Sequence, residues 1–196
     1  MTMSDADLER IKSNWETFEG LCKRLSDQGV NSLLDELGDR LVMCPAAPNE
    51  SQCGAYPGGL IEHALKVTSN MRTMAKAFDV EVQTASILKV GLLHDIGKVG
   101  DLEQNYFIEQ DSDWHREKLG QVYKFNEGLN KMSVSHRTLF LLQRFGIKLS
   151  KEEWIAIQLA AGSHFEENRF YVGHEPTLAL ILQLAKRFTV HADNNS

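Results

Sequence analysis

The residues best suited to chemistry lie in two short stretches of the chain. His94 and Asp95 follow an apolar run and precede Lys98, whereas His63 lies near the start of an amphipathic run further upstream. Neutral imidazole nitrogens and an ionised carboxylate are ligands that suit a divalent transition metal. These residue types therefore predict a metal site formed by His63, His94 and Asp95.

Hydrophobic periodicity predicts the helices that must position these ligands. His63 lies beside the apolar stripe of a helix that residues 57–59 open, and a histidine there, taken alone, is more often an ordinary core residue. The next helix, over residues 82–96, is apolar on most sides and is expected to be central and buried. Because a buried carboxylate without a partner is costly, Asp95 needs a cation, and a metal is the economical candidate.

The rest of the chain is predicted to be mostly helical. The first helix begins at Ser4 or Asp5 and ends before Gly29, and the pair Ser150 and Glu153 forms a capping box for a later helix. Two short strands are predicted at residues 106–108 and 122–125. Further helices are predicted at residues 31–42, 135–145, 151–164 and 176–191.

Length and composition limit the classes of protein that fit. A chain of 196 residues is expected to form one domain, or one domain with an extension. No apolar run approaches the roughly 20 residues that span a bilayer, and residues 1–5 have neither the basic nor the apolar character of a secretory signal. Three cysteines without a CxxC spacing favour a reducing, cytoplasmic setting.

Charge is distributed unevenly along the chain. The net charge is −6, which argues against a protein that coats long nucleic acid. Residues 115–151 nevertheless carry eight Lys or Arg and two acids, a local balance of +6. Such a segment can attract a small anionic substrate, and a solvated helix surface is an equally good interpretation for most of its residues.

With these residues placed on helices, the chain resembles the HD-domain metal-dependent phosphohydrolases. The resemblance covers about residues 53–191 and is carried by "GGLIEHALKV" and "GLLHDIGKV". These phrases are most similar to the HD domains of bacterial 3′–5′ exoribonucleases and of small phage-type HD proteins. The resemblance implies an all-α bundle of five or more core helices at residues 45–196, and we assign residues 1–44 to an N-terminal helical extension. One short β-hairpin fits the two predicted strands.

The resemblance also implies roles for individual residues. His63, His94 and Asp95 match the family's metal ligands, and His164 matches a histidine that some members direct to a second metal or to the substrate. The metal implied is Mn, Fe, Ni, Co or Zn. Lys98 matches a basic residue that meets phosphate, and His115 lies near another family histidine, so that His115 or Asp95 can shuttle a proton. Trp114, Arg116 and Lys118 are candidates for binding the substrate, and ordinary solvated charges explain the last two equally well.

Lys186 departs from the family pattern. It stands in the last helix where the family has an aspartate ligand, and Asp193 follows seven residues later, about 10 Å along a helix. A protonated lysine beside a dication is electrostatically unfavourable. Three interpretations remain open: a weak metal site with three protein ligands and water, a lysine that replaces the metal's positive charge, or loss of catalysis.

The leading hypothesis is a metal-dependent hydrolase acting on a phosphate ester of a nucleotide or short oligonucleotide. A second hypothesis is a catalytically weakened HD module that binds a nucleotide or a protein partner, with Lys186 in contact with the ligand. A third is an acidic protein that inhibits a host enzyme. The sequence specifies neither the exact substrate nor the oligomeric state.

Overall fold

The computed structural model describes residues 3–194, and within them helices predominate. The α-helices are α1 (Asp5–Lys23), α2 (Gln28–Met43), α3 (Gly59–Ala77), α4 (Thr84–Leu93), α5 (Asp113–Leu119), α6 (Val134–Arg144), α7 (Lys151–Gln158) and α8 (Thr177–Asp193). Two 3₁₀ helices cover Ile96–Val99 and Glu166–Tyr171. The all-α fold class predicted from the sequence is therefore confirmed.

A two-stranded antiparallel sheet is the β-structure of the described residues. Strand β1 (Phe107–Glu109) pairs with β2 (Tyr123–Phe125), with Phe107 opposite Phe125. Both strands lie within one residue of the predicted segments. They do not form a tight hairpin, however, because α5 lies in the connection between them.

Helix α3 packs against both α4 and α8, so these three helices surround the region where the predicted ligands lie. Gly91 on α4 permits the close approach to α3, since a Cβ there would lie 2.5 Å from Oγ1 of Thr68. At the start of α3, Gly58 adopts a left-handed conformation with φ of 81°. A Cβ on Gly59 would lie 2.1 Å from the carbonyl oxygen of Gly54, so this turn requires glycine.

Helices α1 and α2 contribute to the same hydrophobic core as the later helices, through residues such as Phe18 and Leu37. Arg40 on α2 also binds the loop that follows the His-Asp pair: it donates to the carbonyl oxygens of Val99 and Asp101, each at 2.7 Å, and to Oδ1 of Asn105 at 2.7 Å. The division of the chain into residues 1–44 and 45–196 stays a prediction, and both outer limits lie outside the described residues.

Helix boundaries differ from the sequence prediction at two places near the site. The fourth helix ends at Leu93 rather than at residue 96, because the chain tightens there into the 3₁₀ turn Ile96–Val99. The seventh helix ends at Gln158 rather than at residue 164, and Gly162 follows with φ of 130°. Among residues 3–194, no helix combines the length and the apolar character that crossing a membrane needs.

Candidate metal centre and its cavity

Two helices and one turn bring the three predicted ligands together. His63 lies on the first turns of α3, and His94 and Asp95 lie where α4 gives way to the 3₁₀ turn. One ligand atom from each residue lies within 4.8 Å of the others. All three residues are buried, with exposures of 5%, 0% and 5% respectively.

Thr138 on α6 fixes the turn that carries His94 and Asp95. Its hydroxyl accepts from the backbone N–H of Gly97 at 2.9 Å and lies 3.2 Å from the carbonyl oxygen of His94, to which it donates. A Cβ on Gly97 would lie 2.5 Å from the carbonyl oxygen of Val134, so the turn also needs glycine to approach α6. The His-Asp pair is thus held from both sides, by α4 and by α6.

The two imidazoles are neutral and each presents a free nitrogen. Nδ1 of His94 lies 2.9 Å from the carbonyl oxygen of Gly91, to which it donates, and this leaves Nε2 as an unprotonated lone pair. Burial lowers the pKa of His94 to about 4, and burial together with Lys98 holds the pKa of His63 well below its usual value. Nε2 of His94 and Nδ1 of His63 are buried without a hydrogen-bond partner.

Asp95 lies between two ammonium groups. Nζ of Lys186 donates to Oδ1 at 2.9 Å, and Nζ of Lys98 forms an ion pair with Oδ2 at 2.8 Å. The contact with Lys98 lacks hydrogen-bond geometry, so Oδ2 has no hydrogen-bond donor, and it lies 3.7 Å from Nε2 of His94. Burial by itself would raise the pKa of Asp95, but Lys186 and Lys98 outweigh it and hold that pKa well below its usual value.

These contacts test whether a divalent metal suits the residues present. Two neutral imidazoles and a carboxylate, all buried and each with a ligand atom within 4.8 Å of the others, are the donor set that a transition metal takes. The fit is incomplete at Lys186, whose contact with Oδ1 of Asp95 supplies positive charge where the family places another carboxylate. The residues therefore fit a metal held by three protein ligands.

A cavity of about 410 Å³ opens onto this cluster. His63, Asp95, Lys98 and Lys186 form its polar wall. The cavity is also lined by aromatic rings of the strand region and residues of the loop before α3, namely Tyr106, Phe107, Phe125, Ala47, Pro48 and Cys53. An anionic group entering this cavity would meet two ammonium groups beside one carboxylate.

The remaining predicted site residues lie elsewhere. Trp114, His115, Arg116 and Lys118 are on or near the surface of α5 and do not line this cavity. His115 contacts Oγ of Ser112 at 2.8 Å, and Arg116 is paired with Asp113. Their roles in proton transfer and substrate binding stay predictions without support from the geometry.

His164 is also separate from the cluster. It is exposed, and its ring lies 4.4 Å from that of Phe165. Among residues 3–194, the group of metal-type ligands that converges contains His63, His94 and Asp95 and does not contain His164. Asp193 lies at the end of α8 and pairs with Lys66 at 2.9 Å, so it does not take the place that Lys186 occupies.

Comparison with known families decides the affiliation of the chain. A model described as the HD domain matches residues 60–190, more than half of the chain. The chain belongs to the HD domain family. HD domains bind divalent metals and are generally metal-dependent hydrolases, and the His63, His94 and Asp95 cluster is the candidate metal group of this one. No curated protein and no solved structure matches the chain.

Sequence reasoning missed three features of this HD domain. The aromatic wall of Tyr106 and Phe125 was predicted only as strand, and Cys53 only as one of three unpaired cysteines. Arg137 was counted in the basic segment without a role. The concentration of basic residues in residues 115–151 was the available signal for Arg137. The sequence does not show which of these basic residues become buried.

Proposed function

We propose that this HD domain is a metal-dependent phosphohydrolase that acts on a phosphate ester of a nucleotide or short oligonucleotide. The observation that carries the proposal is the convergence of His63, His94 and Asp95, of which His63 and Asp95 line a cavity that also contains two ammonium groups. Metal ligands alone would fit many chemistries. The pairing of those ligands with Lys98 and Lys186 favours an anionic substrate.

His63, His94 and Asp95 would hold the metal. A bound divalent metal lowers the pKa of its water and polarises a phosphoryl oxygen. The protein's own contribution begins with the two neutral imidazoles, whose lone pairs burial keeps free of protons at neutral pH. Thr138 keeps the His-Asp turn in place, so that the ligands are oriented before a substrate arrives.

Lys98 and Lys186 would bind the phosphate. Each side chain is 18% exposed and lines the cavity, so each ammonium group is partly desolvated but still reachable. A charge-assisted hydrogen bond from such a group to a phosphate oxygen is stronger than a neutral one. When an anion enters, Lys186 can share its hydrogen bond, and Lys98 its ion pair, between Asp95 and the phosphate.

A second candidate function, nucleotide binding without turnover, is favoured by one contact. Nζ of Lys186 already neutralises Oδ1 of Asp95, and with Lys98 it gives the cluster a net charge of +1 before any cation binds. Two unit charges at about 4 Å interact by about 4 kcal/mol at an effective dielectric constant of 20. Repulsion from Lys186 therefore makes binding of a dication less favourable by several kcal/mol. The metal affinity falls, but the three ligand residues remain in place.

The experiment combines metal analysis of the purified protein with Mn²⁺-dependent assays on nucleoside monophosphates, cyclic nucleotides, triphosphates and short oligonucleotides. We expect about one metal per chain and turnover that His63→Asn lowers by at least about 100-fold, since one of three ligands is lost. His136→Asn, at an exposed histidine on α6, is the matched control and should leave turnover unchanged.

Two results would contradict hydrolysis. Turnover equal in wild type and His63→Asn would place the activity in another protein of the preparation. Nucleotide binding that persists in chelator, with no metal and no turnover, would establish the binding module instead.

A further inference from the structure

Arg137 on α6 is a buried cation with incomplete partners. It is 4% exposed, and Nη2 donates to the carbonyl oxygen of Asn130 at 2.8 Å. Its guanidinium carbon lies 5.5 Å from the ring centre of Tyr106, and Nε is buried with no hydrogen-bond partner. Among residues 3–194, no carboxylate forms an ion pair with Arg137, although Asp101 interacts with it over a longer distance. A buried cation with no carboxylate in direct contact is incompletely compensated, so the position favours binding of an anion.

A second cavity, of about 550 Å³, lies beside Arg137. Lys131 lines it together with Arg137, and Glu127 is the acidic residue of its wall. Lys131 and Glu127 are exposed, whereas Arg137 is buried. Two cations against one carboxylate leave a net positive cavity, and the planar guanidinium offers the fork of donors that fits a phosphate group.

The second cavity adjoins the metal cavity through a shared aromatic wall. Tyr106 and Phe125 line both cavities, and their ring centres lie 5.3 Å apart. Phe125 is 51% exposed, which leaves a ring face available to a ligand. Nucleobases stack on such exposed rings with little preference for sequence, because every base has a π face.

We propose that Arg137 and Lys131 bind a second phosphate of the substrate whose reacting phosphate lies at Lys98 and Lys186. The nucleoside between the two phosphates then lies over Phe125 and Tyr106. This inference rests on the proposed function and narrows it: the substrate has phosphates on both sides of a nucleoside, as a short oligonucleotide does, because a mononucleotide with a single phosphate cannot occupy both cavities.

The test is calorimetric titration of the full chain in chelator, so that no ligand is turned over. The probes are thymidine 5′-monophosphate and the 5′-phosphorylated dinucleotide pTpT. We expect pTpT to bind about tenfold more tightly, from one additional charge-assisted phosphate contact. Lys131→Gln, at an exposed residue, should remove most of that advantage, and Glu127→Gln should increase it.

Two further variants separate this inference from the proposed function. Lys98→Gln should weaken both probes, and Lys12→Gln, at an exposed lysine of α1, should weaken neither. Suppose that thymidine monophosphate binds with an affinity that Lys98→Gln lowers. If pTpT then binds no more tightly, or if Lys131→Gln leaves the affinity for pTpT unchanged, the second phosphate site is overturned and the proposed function stands. If neither probe binds the wild-type protein, the second phosphate site is overturned, and the metal analysis and Mn²⁺-dependent assays decide the proposed function separately.

Discussion

Asp95 is in contact with more charge than any other side chain of the site. Lys186 holds Oδ1 and Lys98 pairs with Oδ2, yet Oδ2 still lies 3.7 Å from Nε2 of His94. The carboxylate thus has one oxygen held by Lys186, while the other pairs with Lys98 and also lies near an imidazole. A metal at His63, His94 and Asp95 would therefore bind Asp95 through Oδ2, since Oδ1 is held by the lysine at the position of the family's last aspartate.

Replacing that lysine provides the first prediction. Lys186→Asp removes an ammonium group from Oδ1 of Asp95 and adds a carboxylate to the cluster, so we expect the affinity for Mn²⁺ to rise by at least about tenfold. Calorimetric titration with Mn²⁺ measures it. Arg187→Asp makes the same change of charge at the next, exposed residue and should shift the affinity far less. Equal effects of the two substitutions would mean that Lys186 acts only through net charge.

The sequence was informative at this scale where chemistry follows from residue type. The residues His63, His94, Asp95 and Lys98 could be selected because each has a distinctive chemistry and lies at a helix position that the apolar pattern fixes. Arg137 could not be selected in the same way. Its importance comes from burial and from the absence of a carboxylate partner in the described residues, and both depend on how α6 packs.

At the scale of elements, α7 is tied to α4 by a buried carboxylate. Glu153 caps its own helix through the backbone N–H of Ser150 at 2.8 Å, and it accepts from Oγ of Ser86 at 2.8 Å and from Nζ of Lys89 at 3.1 Å. Burial by itself would raise the pKa of Glu153, but these hydrogen bonds and Lys89 lower it below the ordinary 4.5. These contacts link α7 to Ser86 and Lys89 of α4, the helix that leads into His94 and Asp95.

Glu153→Gln is expected to lower the free energy of unfolding at pH 7 by about 1–3 kcal/mol, because Lys89 loses its counter-charge. A carboxyl with a lowered folded-state pKa stabilises the fold above pH 4.5, and that contribution is lost as pH falls through the folded pKa. The difference between wild type and variant should therefore shrink below pH 4.5. Urea unfolding across pH measures this, and Glu152→Gln at the exposed neighbour should show no such difference.

Arg40 links α2 to the loop after the His-Asp turn, and its removal provides a third prediction. Arg40→Ala leaves the carbonyl oxygens of Val99 and Asp101 without their donors, so we expect a loss of about 2–3 kcal/mol in unfolding free energy. Hydrogen exchange at residues 99–105 should accelerate as well. Arg24→Ala, at an exposed arginine after α1, is the control. Unchanged exchange in Arg40→Ala would mean that the loop is ordered without α2.

Apolar periodicity predicted the α-helices of the described residues except α5 (Asp113–Leu119), which has no buried residues and hence no apolar stripe, and it did not predict two helix ends. The 3₁₀ turn after Leu93 depends on Thr138, which is 44 residues away from His94 along the chain. Such a contact has no local signal. The early end of α7 similarly accompanies a left-handed Gly162, and a glycine alone does not say whether a helix continues to it.

At the scale of the whole molecule, the basic segment predicted at residues 115–151 divides into separate roles. Lys124 and Arg116 are paired with Asp111 and Asp113, so their charge is largely compensated. Lys131 and Arg137 line the cavity that adjoins the metal cavity. The segment therefore contributes two cations to that cavity, and its role in attracting an anion stays a prediction.

The central claim is that His63, His94 and Asp95 share one cation. The most direct measurement is an anomalous difference map from crystals grown with Mn²⁺. The account predicts one peak within about 2.3 Å of a nitrogen of each histidine and of Oδ2 of Asp95. A map without a peak there, with the ammonium of Lys186 between the three side chains, would contradict it.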